Sequence, residues 1–151
     1  MAATRINDLY LPVAVIPTNV EISSELSESL KGADIVLGVM PSHLARGVYE
    51  RIRPFINDHM TFVSATKGLE NKTLLRVSEV AREVLEVPSV GVISGPSFAK
   101  EVARAEPTAV VAASADSGIA AKVQAAFSGP TFRVYTSPDP IGVEMAAPLK
   151  M

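Results

Sequence analysis

The sequence contains no cysteine. That excludes a disulfide framework and a thiolate nucleophile. Its two histidines, His43 and His59, stand far apart, which argues against a dedicated zinc site. No run is long or apolar enough to span a bilayer, and Met1-Ala2-Ala3-Thr4 lacks the apolar core of a signal peptide. Lys and Arg form no cluster, and a formal net charge of −2 leaves no footprint for nucleic acid. The default that remains is a reduced, soluble compartment, the cytoplasm.

What is present is apolar and evenly punctuated. Hydrophobic residues make up 48% of the chain, enough for one core and, most simply, one domain. Val13-Ala14-Val15, bracketed by prolines, suits an edge or connecting piece. Ser23 or Ser24 can cap a short helix through Leu30. Residues 34–39 are apolar on both faces, the pattern of a parallel strand covered by helices on either side. Ser42 then caps a helix carrying Leu44, Val48 and Ile52 at intervals of four. A second strand over 60–65 is followed by a helix capped by Thr73, with Leu74, Val77, Val80, Ala81 and Leu85 inward and Pro88 after it. Residues 90–93 and 109–113 read as strands, residues 98–105 and 114–127 as helices. The alternation in Phe132-Arg133-Val134-Tyr135 suits a last strand, antiparallel at an edge. Strands alternating with helices in this way predict an α/β fold, a doubly wound and mostly parallel sheet.

In such folds the loops after parallel strands gather on one edge, where ligands bind. Three loops fall there: Pro41-Ser42-His43, Thr66-Lys67-Gly68 and Gly95-Pro96-Ser97. Gly95 permits a tight turn with close backbone approach, and Ser97 stands where a helix N-cap would. Lys67 is either a solvated charge or a contact for an anion and a hydroxyl. His43 is either a general base or a half-exposed surface residue. Ser97 has no His or Asp at a recognisable spacing and lacks the flanking glycines of a nucleophile elbow, so a serine hydrolase fits poorly.

The segments Asn7-Asp8-Leu9-Tyr10-Leu11-Pro12, Ala33-Asp34-Ile35-Val36 and Val63-Ser64-Ala65-Thr66-Lys67-Gly68-Leu69-Glu70 stand in a distinctive order. They are followed by Ile93-Ser94-Gly95-Pro96-Ser97-Phe98-Ala99-Lys100-Glu101, Pro107-Thr108-Ala109-Val110, Phe132-Arg133-Val134-Tyr135 and Ile141-Gly142-Val143-Glu144. In that order the chain resembles the bacterial NAD(P)-dependent glycerol-3-phosphate dehydrogenase family through nearly its whole length. The resemblance implies a Rossmann-like sheet and hydride transfer between sn-glycerol 3-phosphate and dihydroxyacetone phosphate, with NAD or NADP, in glycerophospholipid precursor synthesis. It further implies that Lys67 touches both cofactor and substrate, that Gly95 and Ser97 hold the substrate, and that Ala99 lies against the cofactor. Lys150 matches the family's general base and contacts the substrate. No metal is implied, and the partner is a phosphorylated small molecule.

The family pattern and this chain also differ. No G-x-G-x-x-G turn occurs anywhere, so the first βαβ unit, with its pyrophosphate seat, is missing from the pattern. Its central strand would leave two flanking strands unpaired, and exposed edges favour self-association. Residues 1–137 then correspond to a partial dinucleotide-binding domain, and 138–151 to the start of the substrate-domain helix. Pro148 precedes Lys150 where the family usually has Gly-Gly-Ala-Leu-Lys; a proline inside a helix costs roughly 3 kcal/mol. The 151-residue chain alone is therefore expected to show little or no dehydrogenase activity. Two alternatives stand beside this reading. One is a related lysine-base hydroxyacid or phosphogluconate-type dehydrogenase. The other is a truncated, non-catalytic remnant or interaction module.

Overall fold

A computed structural model describes residues 4–146. The chain opens with an antiparallel hairpin of β1 (Ile6–Asn7) and β2 (Leu11–Val15), followed by α1 (Leu26–Leu30). Then come β3 (Ile35–Gly38), α2 (Ala45–Ile52), β4 (Thr61–Ser64), α3 (Val77–Leu85) and β5 (Gly91–Ser94). The remainder is α4 (Ala99–Ala103), β6 (Thr108–Ala113), α5 (Ser117–Phe127), β7 (Phe132–Ser137) and α6 (Pro140–Met145). The last five strands form one sheet in the order β3-β4-β5-β6-β7.

Helix length decides strand direction. The strands β3, β4 and β5 run parallel, because α2 and α3 carry the chain back along the sheet before each new strand. Helix α4 has five residues and spans only about 7.5 Å, too little to return the chain to the far edge. So β6 starts where β5 ends, and the two pair antiparallel. Helix α5, with 11 residues, restores the return, and β7 pairs parallel to β6. The antiparallel pairing expected at the last strand thus falls one strand earlier.

Side chains alternate across β4 and divide the core. Phe62 faces α2 and α3, in a cluster with Val36, Tyr49, Ile52, Val77 and Val80. Val63 faces the opposite way, with Val110, Ala112, Val123 and Val134 beneath α5. Tyr49 meets Phe62 edge to face at 5.2 Å, the favoured aromatic geometry. Each such side chain, fully buried, contributes roughly 1.5–3 kcal/mol through the area it removes from water.

Several local expectations are corrected. Strand β3 is not covered on both sides: it lies at the sheet margin, and Leu37 and Val39 are exposed. The sheet runs unbroken from β3 to β7, so no gap separates two flanking strands. The other margin, β7, carries Arg133 over the Tyr135 ring. Thr73 does not cap α3, which begins after Arg76; its hydroxyl instead donates to Glu70 Oε2 at 2.5 Å. Leu74 is 69% exposed in a left-handed turn, not inward. Ser42 opens a short 3-10 turn ahead of α2, and Ser23 accepts from the Glu25 N–H without capping α1 directly. Ser97 is not a cap, since α4 begins one residue later, after Phe98.

Candidate functional site

Two loops after parallel strands approach each other where β4 and β5 end. The β4 loop is tied down first. Buried Thr66 donates through Oγ1 to the Gly38 carbonyl at 3.3 Å and accepts the Met40 N–H at 3.3 Å. Gly68 has φ +101 and packs so close that a Cβ there would sit 3.2 Å from Ser42 Oγ. Glycine meets both demands. Beyond it, Glu70 is held by Arg46, which fastens the loop to α2. Hydrogen bonds from Arg46 and Thr73 hold the Glu70 carboxyl below the usual carboxylate range, and hydrogen bonds to the Glu70 and Glu83 carboxylates push Arg46 further up. With its flanks anchored, exposed Lys67 reaches across to donate from Nζ to the Gly95 carbonyl at 3.2 Å.

The β5 loop is fixed by its neighbour strand. A Cβ on Gly95 would lie 2.9 Å from both the Ala109 carbonyl oxygen and Val110 Cα. The close approach that Gly95 permits is therefore to β6. Pro96, Ser97 and Phe98 follow, with Ser97 Oγ 3.5 Å from the Gly95 carbonyl oxygen and the Phe98 ring 66% exposed.

A third wall comes from α6. Asp139 caps this helix, its Oδ1 accepting the Gly142 N–H at 2.9 Å, and Pro140 occupies the first turn. Proline there loses no helical hydrogen bond. Between α6 and the two loops lies an open cleft of about 510 Å³. Lys67, Ser94, Gly95, Ser97 and the capping Asp139 give it polar lining; Pro96, Phe98, Val111, Val143 and Ala146 give it apolar lining. A lysine ammonium among apolar walls suits an anionic ligand carrying a flat or apolar part.

The sequence-predicted residues are distributed unevenly around this cleft. Lys67, Gly95 and Ser97 line it together. Ala99 is exposed on the first turn of α4, next to Phe98. Lys150 lies outside the described residues. The first of the three loops does not join the cleft: Ser42 supports Gly68 from behind, and His43 lines a separate hollow with Arg46, Glu70 and Lys72. Sequence reasoning missed Phe98 and Val143 as walls of the cleft. The one available signal was Pro138-Asp139-Pro140, a helix-start pattern placed directly after the last strand.

Comparison with known proteins agrees with this architecture. A family model described as the N-terminus of NAD-dependent glycerol-3-phosphate dehydrogenase matches residues 1–120. Among curated relatives, a glycerol-3-phosphate dehydrogenase [NAD(P)+] of Koribacter versatilis is 50% identical over 98% of this chain, which spans 45% of the relative's length. One of Geobacter metallireducens is 44% identical over 99% of this chain and 46% of the relative. The crystal structure of glycerol-3-phosphate dehydrogenase from Coxiella burnetii superposes with a TM-score of 0.90 at 36% identity, covering 97% of this chain and 45% of that one. The sheet described above is thus the Rossmann-like sheet of those enzymes' N-terminal domains, and the chain belongs to the NAD-dependent glycerol-3-phosphate dehydrogenase N-terminal family.

Proposed function

We propose that this chain supplies the substrate side of the cofactor domain of an NAD(P)-dependent glycerol-3-phosphate dehydrogenase. On this reading residues 1–137 belong to the dinucleotide-binding domain and 138–151 begin the substrate domain. The observation that carries the proposal is the Lys67–Gly95 contact at 3.2 Å, which puts an ammonium, the Ser97 hydroxyl and the Phe98 ring on one cleft.

The chemistry follows from these groups. Lys67 offers positive charge to a phosphate or an alcohol oxygen, and Ser97 a hydroxyl donor. Phe98, Val111 and Val143 keep water from an apolar ring, which fits the nicotinamide end of NAD or NADP, with Ala99 small enough to admit it. The cofactor, when bound, takes up or delivers the hydride. Among the described residues no glycine-rich strand–turn–helix seats a pyrophosphate, so the fit is to the nicotinamide end alone. Lys150 would take the proton of the C2 hydroxyl as its hydride leaves. A free lysine has a pKa of about 10.4, so desolvation or a neighbouring cation such as Lys67 must lower it for this work.

The cellular setting follows the same reading. No helix among the described residues is long and apolar enough to cross a membrane, and a cytoplasmic site of action fits phosphorylated, water-soluble substrates. The margin of β3, unpaired among the described residues and with Leu37 and Val39 exposed, supports self-association of this chain. Sedimentation of wild type beside Leu37→Lys reads this, with a fall in apparent mass expected.

The functional test is calorimetric. Saturable binding of dihydroxyacetone phosphate to the chain in the millimolar range or tighter, strengthened by reduced cofactor, is the expected result. Absence of any saturable heat for that ligand while the chain is folded would sink the proposal. Turnover by the 151-residue chain alone is expected to be slight or undetectable.

A further inference from the structure

Glu144 is the one charged side chain buried in the core of the described residues, at 3% exposure. It stands on α6, whose other face lines the cleft through Asp139, Gly142, Val143 and Ala146, spaced three and four apart as one helical face requires. Glu144 leaves from the far side and makes no part of the cleft wall. Its Oε1 accepts the Ser78 backbone N–H at 2.9 Å, and its Oε2 accepts the Ser78 hydroxyl at 2.5 Å and an Arg76 Nη1–H at 3.3 Å. Ser78 is the second residue of α3, so its N–H is one of the donors the helix itself cannot satisfy. The carboxylate therefore sits on the positive end of a nine-residue helix. Arg76 is pinned in turn: its Nη2 pairs with Glu79 Oε1 at 2.8 Å, and its backbone N–H donates to Glu79 Oε2 at 3.1 Å.

We infer that Glu144 is a positioning residue, a latch between α6 and the start of α3 that sets how closely the Gly142–Val143 wall stands to Lys67 and Ser97. The inference rests on the ligand cleft proposed above. A six-residue helix has little cohesion of its own, so its placement depends on what fastens it. Asp139 caps the first turn from within the helix, whereas Glu144 ties the last turn to α3. Released at Glu144, the helix lifts from β5 and β6 and the cleft widens.

The test uses the full chain as wild type, Glu144→Ala, Glu144→Gln and Ser78→Ala, with three readouts. These are amide hydrogen exchange along the chain, calorimetric affinity for sn-glycerol 3-phosphate, and thermal melting. Exchange at 141–146 in Glu144→Ala is expected to accelerate tenfold or more while β3 and β4 stay protected, and affinity to fall at least tenfold well below the melting transition. Glu144→Gln, which keeps an oxygen facing the Ser78 N–H, is expected to recover part of both; Ser78→Ala should fall between. Unchanged exchange at 141–146, or acceleration spread evenly over the sheet, overturns the latch. Local acceleration with unchanged affinity overturns its positioning role. If wild type does not bind the phosphate at all, the proposed function fails while the latch is still judged by exchange. Should Glu144→Ala not fold, Ser78→Ala decides by the same local criterion.

Discussion

Arg46 grips Glu70 through two hydrogen bonds, Nε to Oε1 at 2.8 Å and Nη2 to Oε2 at 3.0 Å. The pair joins α2 to the segment just beyond Lys67, so the cation of the cleft is placed partly by an ion pair outside it. Because the folded state lowers the Glu70 pKa, the stabilisation is present above the unfolded value and is lost as pH falls through the folded one. Glu70→Gln is expected to cost about 1 kcal/mol at neutral pH, given partial exposure and screening. The cost should vanish in strongly acid solution. Denaturant melts of wild type and variant across that range check it; a constant difference would refute the assignment.

Lys67 is exposed, and its one hydrogen bond among the described residues is to a carbonyl, so little stability depends on it. Lys67→Met should leave the melting temperature within a degree or two while weakening phosphate-ligand binding by tenfold or more, the loss of about 1.4 kcal/mol or greater. Calorimetry beside a melt separates the two. Equal affinities would remove Lys67 from the site.

Two glycines predict opposite outcomes. Gly95→Ala drives a Cβ into the backbone of β6 and is expected to destabilise by about 1–3 kcal/mol. Gly47 lies exposed inside α2 with nothing within 4 Å of a built Cβ, so Gly47→Ala should stabilise by about 0.5–1 kcal/mol. Chemical denaturation of both variants reads the difference in sign.

The Tyr49 hydroxyl is buried near the Ser64 and Thr66 hydroxyls without a well-formed hydrogen bond to any described residue. Burial pushes its pKa up against the smaller opposing pull of those two hydroxyls. An unsatisfied buried hydroxyl costs free energy that removing it recovers. Tyr49→Phe is expected to be neutral or stabilising by up to about 1 kcal/mol, whereas Phe62→Ala, which empties the facing ring site, should cost about 3–5 kcal/mol. A Tyr49→Phe variant that melted several degrees lower would show that the hydroxyl is satisfied in solution.

Strand and helix positions were largely legible, because apolar runs such as 60–65 and the fourfold spacing of Leu44, Val48 and Ile52 are local signals. The face of α2 that is buried, however, is Ala45, Tyr49 and Ile52, with Leu44 exposed. Caps were less so. Ser97 and Thr73 have the right chemistry for capping, yet the chain turned one to three residues later, where Phe98 and Arg76 precede the helices. The ion pair of Arg46 with Glu70 and the seat of Glu144 on Ser78 join residues far apart in sequence, and no local pattern marks them.

By itself the sequence determined the alternation of strands and helices, the α/β class, and the residue types at Lys67, Gly95 and Ser97 that resemble a phosphate-handling site. Tertiary structure alone decided that β6 runs against β5, that Lys67 reaches the Gly95 carbonyl, and that α6 closes the cleft from the third side. The physical reason is range. Periodicity and turn chemistry act over a few neighbouring residues, whereas a crevice depends on how helix lengths return the chain and which distant side chains then meet.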